Sequence, residues 1–131
     1  MKKYQLSDIQ DIKLDLTNPK IIFLKGDLWS WKTTFSKHIL NNILNIKGDI
    51  TSPTYTYYNK YDNNYHFDLY RLKNYSEFFN IAGEDIFDDE ENIILVEWPE
   101  IIEEYYKPTI KINISKTLDE NIREVEIEKK N

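Results

Sequence analysis

The chain has 131 residues, 23 acidic against 17 basic side chains, a net charge of −6 and no cysteine. That excludes a disulfide framework and a thiolate metal site, and it removes the general electrostatic case for direct nucleic-acid binding. With 40% hydrophobic residues, no run near the roughly 20 apolar residues of a membrane span and no signal-peptide pattern at Met1-Lys2-Lys3-Tyr4, it reads as one soluble cytoplasmic domain over residues 1–131.

Residues 4–20 are polar and mixed. Leu6-Ser7-Asp8-Ile9 predicts a short helix or turn capped by Ser7 or Asp8, and Asn18-Pro19 predicts a turn. Ile21 to Leu24 is a continuous apolar run, as in a strand covered on both faces. Beyond it Phe35, Ile39, Ile43, Leu44 and Ile46 recur at helical spacing, giving a helix over Thr33 to Ile46 that Gly48 ends. Tyr55 to Tyr61 and Tyr65 to Tyr70 predict a β-hairpin around the turn Asp62-Asn63-Asn64. Ser76 to Ala82 predicts a short helix capped by Ser76 and ended by Gly83, followed by a solvated acidic stretch, Glu84 to Glu91. Asn92 to Trp98 is the second strongly apolar strand. A short helix over Ile101 to Tyr106 precedes an antiparallel pair, Thr109 to Ser115 with Arg123 to Glu128, buried on one face.

The chemistry gathers at Gly26-Asp27-Leu28-Trp29-Ser30-Trp31-Lys32-Thr33-Thr34. Strand, tight loop, Lys-Thr, helix is the layout of a phosphate-binding P-loop, in which backbone N–H groups and a helix start cradle the anion. Lys32 would reach the β- and γ-phosphates, and the Thr33 hydroxyl would hold Mg²⁺. An ordinary strand-to-helix turn is the alternative. Asp68 lies in an apolar strand, where a carboxylate is costly to bury unless a cation partners it; otherwise it faces water from an edge strand. Neighbouring His66 reads as structural. Glu97 ends the strand of Ile93 to Val96, where α/β folds bind ligands, and could hold the metal or orient an attacking water; a solvent-facing strand end is its plain alternative. Trp98 either closes over the site or belongs to the core. Thr51-Ser52-Pro53-Thr54 is either a γ-phosphate sensor or a simple turn.

Together, Gly-Asp-Leu-x-x-x-Lys-Thr-Thr, Ser-Pro-Thr-Tyr, His-Phe-Asp-Leu-Tyr-Arg-Leu and Val-Glu-Trp-Pro-Glu resemble the TsaE (YjeE) family from about Leu6 to Ile127. The segments His66 to Leu72 and Glu97 to Glu100 are the most specific to that family. The resemblance implies an α/β P-loop NTPase-like fold, with a central mixed sheet flanked by helices. It implies a Mg²⁺-dependent ATPase subunit of threonylcarbamoyladenosine synthesis on tRNA. ATP or ADP would bind through Gly26 to Thr34, with Thr54 near the γ-phosphate and Arg123 near the base. Thr33, Asp68 and Glu97 would surround the metal, and Lys32 and Glu97 would be catalytic. The implied partners are TsaB-like and TsaD-like proteins, the second carrying out group transfer. The subunit itself would be monomeric when alone, would meet no membrane and would meet tRNA only through the complex.

The family pattern has glycine where this chain has Trp29 and Trp31. A non-glycine residue held in such a loop costs on the order of 1–3 kcal/mol, and two indoles compete with phosphate for space. Three explanations stand open: a degenerate loop on a non-catalytic binding module, an altered mode of nucleotide binding, or tryptophans that are glycines in the cell. The last is favoured. UGA differs by one base from the glycine codon GGA, some bacteria read UGA as glycine, and the chain has only three glycines. A small-molecule kinase is a further reading, but Arg71 and Arg123 are the only arginines available to a lid.

Overall fold

The computed structural model describes residues 2–12, 20–27, 31–53 and 55–129. Its strands are β1 (Lys2–Gln5), β2 (Ile21–Gly26), β3 (Tyr58–Tyr61), β4 (Asn64–Asp68), β5 (Ile93–Glu97), β6 (Ile110–Lys116) and β7 (Ile122–Lys129). They form one sheet in the order β1-β7-β6-β2-β5-β4-β3. The central four, β6, β2, β5 and β4, run parallel. The hairpin strand β3 and the outer pair β7 and β1 are antiparallel additions. The helices are α1 (Lys32–His38), α2 (Tyr75–Asn80) and α3 (Gly83–Asp88).

Period-two alternation assigns each strand residue to a face. Ile22, Leu24, Leu95, Ile112 and Ile114 pack with Phe35, Ile39 and Leu40 from α1 and its continuation. Ile21, Phe23, Phe67, Ile94 and Val96 pack with Phe78, Ile86 and Phe87 from α2 and α3. The apolar runs of β2 and β5 are continuous because helices cover both sides. Each such fully buried side chain stabilises the fold by about 1.5–3 kcal/mol.

Several boundaries differ from expectation. Lys2–Gln5 forms an unforeseen edge strand, and the short 3₁₀ turn Leu6–Asp11 is capped by Gln5 without a side-chain bond, not by Ser7 or Asp8. Helix α1 gives way to a π-helical turn, Ile39–Ile43, and stops at Leu44. Asn45, at φ 58°, makes the left-handed turn there, which asparagine tolerates; Gly48 lies beyond it. Residues 55–57 form a turn rather than a strand, and β4 ends at Asp68 rather than Tyr70. The cap of α2 is Asn74, whose Oδ1 accepts from Glu77 N at 3.1 Å, in place of Ser76.

Gly83 opens α3 instead of ending α2. A Cβ there would lie 2.4 Å from the Phe78 ring, so the glycine serves close packing. The acidic stretch is therefore not simply solvated, since it buries Ile86 and Phe87. The helix expected over Ile101 to Tyr106 is a 3₁₀ turn at Pro99–Ile102. Among the described residues, no helix is long and apolar enough to cross a membrane.

Candidate functional site

Four parallel strands deliver their carboxyl ends to one edge of the sheet, and α1 begins beside that edge. Lys32, the first residue of α1, is buried. Its Nζ donates to the carbonyls of Gly26 at 2.5 Å and Asp27 at 2.7 Å, and lies 4.1 Å from the centre of the Trp98 ring. Burial pushes the Lys32 pKa below its usual 10.5, while the charges of Glu97, Asp27, Asp68 and Glu100 oppose that shift.

Asp68 and Glu97 are register partners at the ends of β4 and β5. Neighbouring strands lie about 4.8 Å apart, so alternation sets both carboxylates side by side on the face that α1 covers. They are 8% and 3% exposed, which rules out the solvent-facing alternatives for both. Asp68 Oδ1 accepts from Tyr70 N at 3.0 Å. Glu97 Oε2 accepts from Ser36 Oγ at 3.1 Å and contacts His66 Nε2 at 2.6 Å. Two buried carboxylates beside a buried lysine form a hard-oxygen set of the kind that holds Mg²⁺ through one or two carboxylates plus a phosphate. Thr33, exposed and adjacent to Lys32, adds a hydroxyl.

Trp31 is the residue before α1 and has φ 73° and ψ 25°. This is the left-handed conformation that glycine adopts freely and other residues adopt at a cost. Its ring packs against the α1-side core, with the Arg123 guanidinium carbon 4.0 Å from the ring centre. Arg123 is buried, and its Nη1 donates to the carbonyls of Glu120 at 2.8 Å and Ile122 at 3.0 Å. Leu28, Trp29, Ser30 and Thr54, all candidate site residues, lie outside the described residues, as does the turn at Asn18-Pro19.

A model of the family described as "Threonylcarbamoyl adenosine biosynthesis protein TsaE" matches residues 4–125. The chain belongs to the TsaE family. It is 36% identical over 116 residues to the tRNA threonylcarbamoyladenosine biosynthesis protein TsaE of Rickettsia typhi, an alignment covering 85% of this chain and 78% of that protein. The protein of the same name from Borreliella burgdorferi is 44% identical over 86 residues, or 63% of this chain and 61% of that one. The crystal structure of Bacillus subtilis YdiB superposes with a TM-score of 0.62 at 25% identity, covering 95% of this chain and 82% of that one. The fold is thus P-loop NTPase-like, as the resemblance implied.

In this TsaE-family chain the structure brings Gly26, Asp27, Lys32, Asp68, Glu97 and Trp98 into one site, with Trp31 and Arg123 paired next to it. Beside Thr34 opens a cavity of about 660 Å³, lined by Gln5, Ser7, Ile9, Lys37, His38, Asn41, Asn42 and Asn121. Sequence reasoning missed this cavity because its walls come from β1, α1 and the turn before β7. It also missed Ser36. The available signal was the four-residue step from Lys32, which places both on one face of α1. His66 was read as structural, and its signal was the two-residue step to Asp68, which sets both side chains on one sheet face.

Proposed function

We propose that this chain binds ATP with Mg²⁺ and hydrolyses it as a cytoplasmic subunit of tRNA threonylcarbamoyladenosine synthesis, acting with TsaB-like and TsaD-like proteins. The observation that carries this reading is the convergence of Lys32 with the paired carboxylates Asp68 and Glu97 at the carboxyl ends of adjacent parallel strands. Lys32 binds the terminal phosphates, exchanging the carbonyls of Gly26 and Asp27 for anionic oxygens. Thr33, Asp68 and Glu97 hold the cation, whose charge offsets that of the phosphates. Glu97 orients the attacking water. The amide-rich cavity beside Thr34 accommodates the base and ribose, with Gln5, Asn41 and Asn121 as hydrogen-bonding groups. The net charge of −6 favours contact with tRNA through the partner proteins rather than by this chain alone.

A second reading has one specific observation in its favour. Trp31 stands in the loop in a left-handed conformation with Arg123 against its ring. A loop so filled suits a binding module that keeps its partner surface and has given up nucleotide.

Equilibrium titration with ATP, with and without Mg²⁺, separates the two readings. Phosphate release that rises when TsaB-like and TsaD-like proteins are added is the expected result. Absence of any nucleotide binding would leave the binding-module reading.

A further inference from the structure

His66 lies on β4 two residues before Asp68, with its ring on the same face of the sheet. It is 1% exposed. Its Nδ1 is buried without a hydrogen-bond partner among the described residues. Leaving such a nitrogen unsatisfied is unfavourable, a cost that an apolar residue at this central-strand position would avoid. The compensating interaction is at the other nitrogen, where Nε2 meets Glu97 Oε2 at 2.6 Å. Ser36 Oγ donates to that same oxygen at 3.1 Å.

We propose that His66 is a positioning residue, which together with Ser36 clamps Oε2 of Glu97 and leaves Oε1 for the attacking water or the cation. Both clamp contacts fall on one carboxylate oxygen, so they fix the carboxylate's rotation as well as its place. Ser36 sits one turn after Lys32 on α1. The clamp therefore fixes Glu97 relative to the element that carries the phosphate-binding lysine. Small misplacements of a reacting group cost large factors in rate, so such a tether matters to turnover more than to nucleotide affinity. The role rests on the ATPase reading above; the clamp itself does not.

Nitrogen NMR of the imidazoles in the intact chain, at one fixed pH, reads the clamp directly. The expected spectrum has His66 in a single tautomer with its proton on Nε2, and Glu97→Gln displaces that resonance. An imidazole averaging between tautomers, or one indifferent to Glu97→Gln, overturns the clamp. Two variants then read the role. His66→Gln keeps a donor near the Nε2 position, and His66→Leu keeps only volume. With TsaB-like and TsaD-like proteins present, His66→Leu is expected to lower Mg²⁺-ATP turnover about 10–100-fold while metal-free ADP affinity stays unchanged, and His66→Gln to recover most of the loss. Unchanged turnover in His66→Leu, or equal losses in both variants, overturns the positioning role. A starting chain that binds no nucleotide overturns the ATPase reading and this role with it, while the imidazole spectrum still decides the clamp, so the two failures are told apart.

Discussion

The Arg123 guanidinium lies 4.0 Å above the ring of Trp31, across the start of the helix that carries Lys32. This contact holds the indole at the entrance to α1. It is worth about 0.5–2 kcal/mol, depending on how far it is desolvated. The left-handed backbone of Trp31 costs roughly 1–2 kcal/mol in the opposite direction. Trp31→Gly therefore removes a favourable contact and a strained conformation together. Its denaturant midpoint is expected to move little, while Mg²⁺-ATP affinity rises at least about tenfold, or ~1.4 kcal/mol. Trp31→Ala removes the ring but keeps the strain, so it should gain part of the affinity and lose stability. A fluorescent ATP analogue titrated against the three proteins measures this, and no gain in either variant would show that the ring does not obstruct the site.

Lys32 gives the site an alkaline limit. Burial lowers its pKa from 10.5, and phosphate binding needs the charged form. ATP affinity should therefore begin to fall below the pH at which an ordinary lysine discharges. Bound phosphate restores the charge, so binding takes up protons on that side. The stability of the unliganded fold runs the other way. Between the lowered pKa and 10.5 the unfolded chain holds more protons than the folded one, so stability rises with pH through that window. Affinity measured in buffers from neutral pH to about pH 10 checks the first trend, and denaturant melts over the same range check the second. Lys32→Met should abolish both.

Asp68→Asn separates charge from shape. The amide oxygen can still accept from Tyr70 N, which now bonds Oδ1 at 3.0 Å, so the turn after β4 is retained. The negative charge proposed to face the cation is lost. Calorimetric titration should show the Mg²⁺-dependent part of ATP affinity reduced at least about tenfold, with metal-free ADP binding equal or tighter. An unchanged Mg²⁺ dependence would remove Asp68 from the metal site.

Glu97 was legible as a candidate because it ends an apolar run; Asp68 stood out only as a carboxylate inside an apolar strand expected to reach Tyr70, and its place at the end of β4 came from the structure. A carboxylate at the end of a buried parallel strand has few uses besides ligand chemistry. The runs themselves, Ile21–Leu24 and Ile93–Val96, were legible because covering helices leave no polar alternation. β1 carried no such signal. It is a four-residue edge strand with three exposed side chains, held to β7 by backbone pairing, and backbone pairing leaves no mark on side-chain pattern. Gly83 misled because glycine is both a helix stop and a packing residue, and only the Phe78 ring distinguishes the two. Ser36 and His66 were hidden for a related reason. Their partner, Glu97, is distant in sequence, and the local spacing to Lys32 and Asp68 gives the shared face of each but not the contact with Glu97.

The identity of residues 29 and 31 decides which molecule acts in the cell. A left-handed tryptophan is not by itself an anomaly, because Trp98 also has a positive φ, 57°. Trp98, however, has a task in that position, its ring standing over the Lys32 ammonium at the site. Trp31 occupies a loop where the family pattern has glycine, in a conformation open to glycine without strain. The expected result of peptide mass spectrometry on protein isolated from its native cells, over Gly26 to Lys32, is glycine at both 29 and 31. That outcome restores a complete phosphate loop and makes the tryptophan-bearing chain an artificial variant, whose weak nucleotide binding would then be relieved by the two glycines. Tryptophan at both positions makes a remodelled or lost nucleotide site the native state, and shifts the weight of the function to the surface that meets the partner proteins.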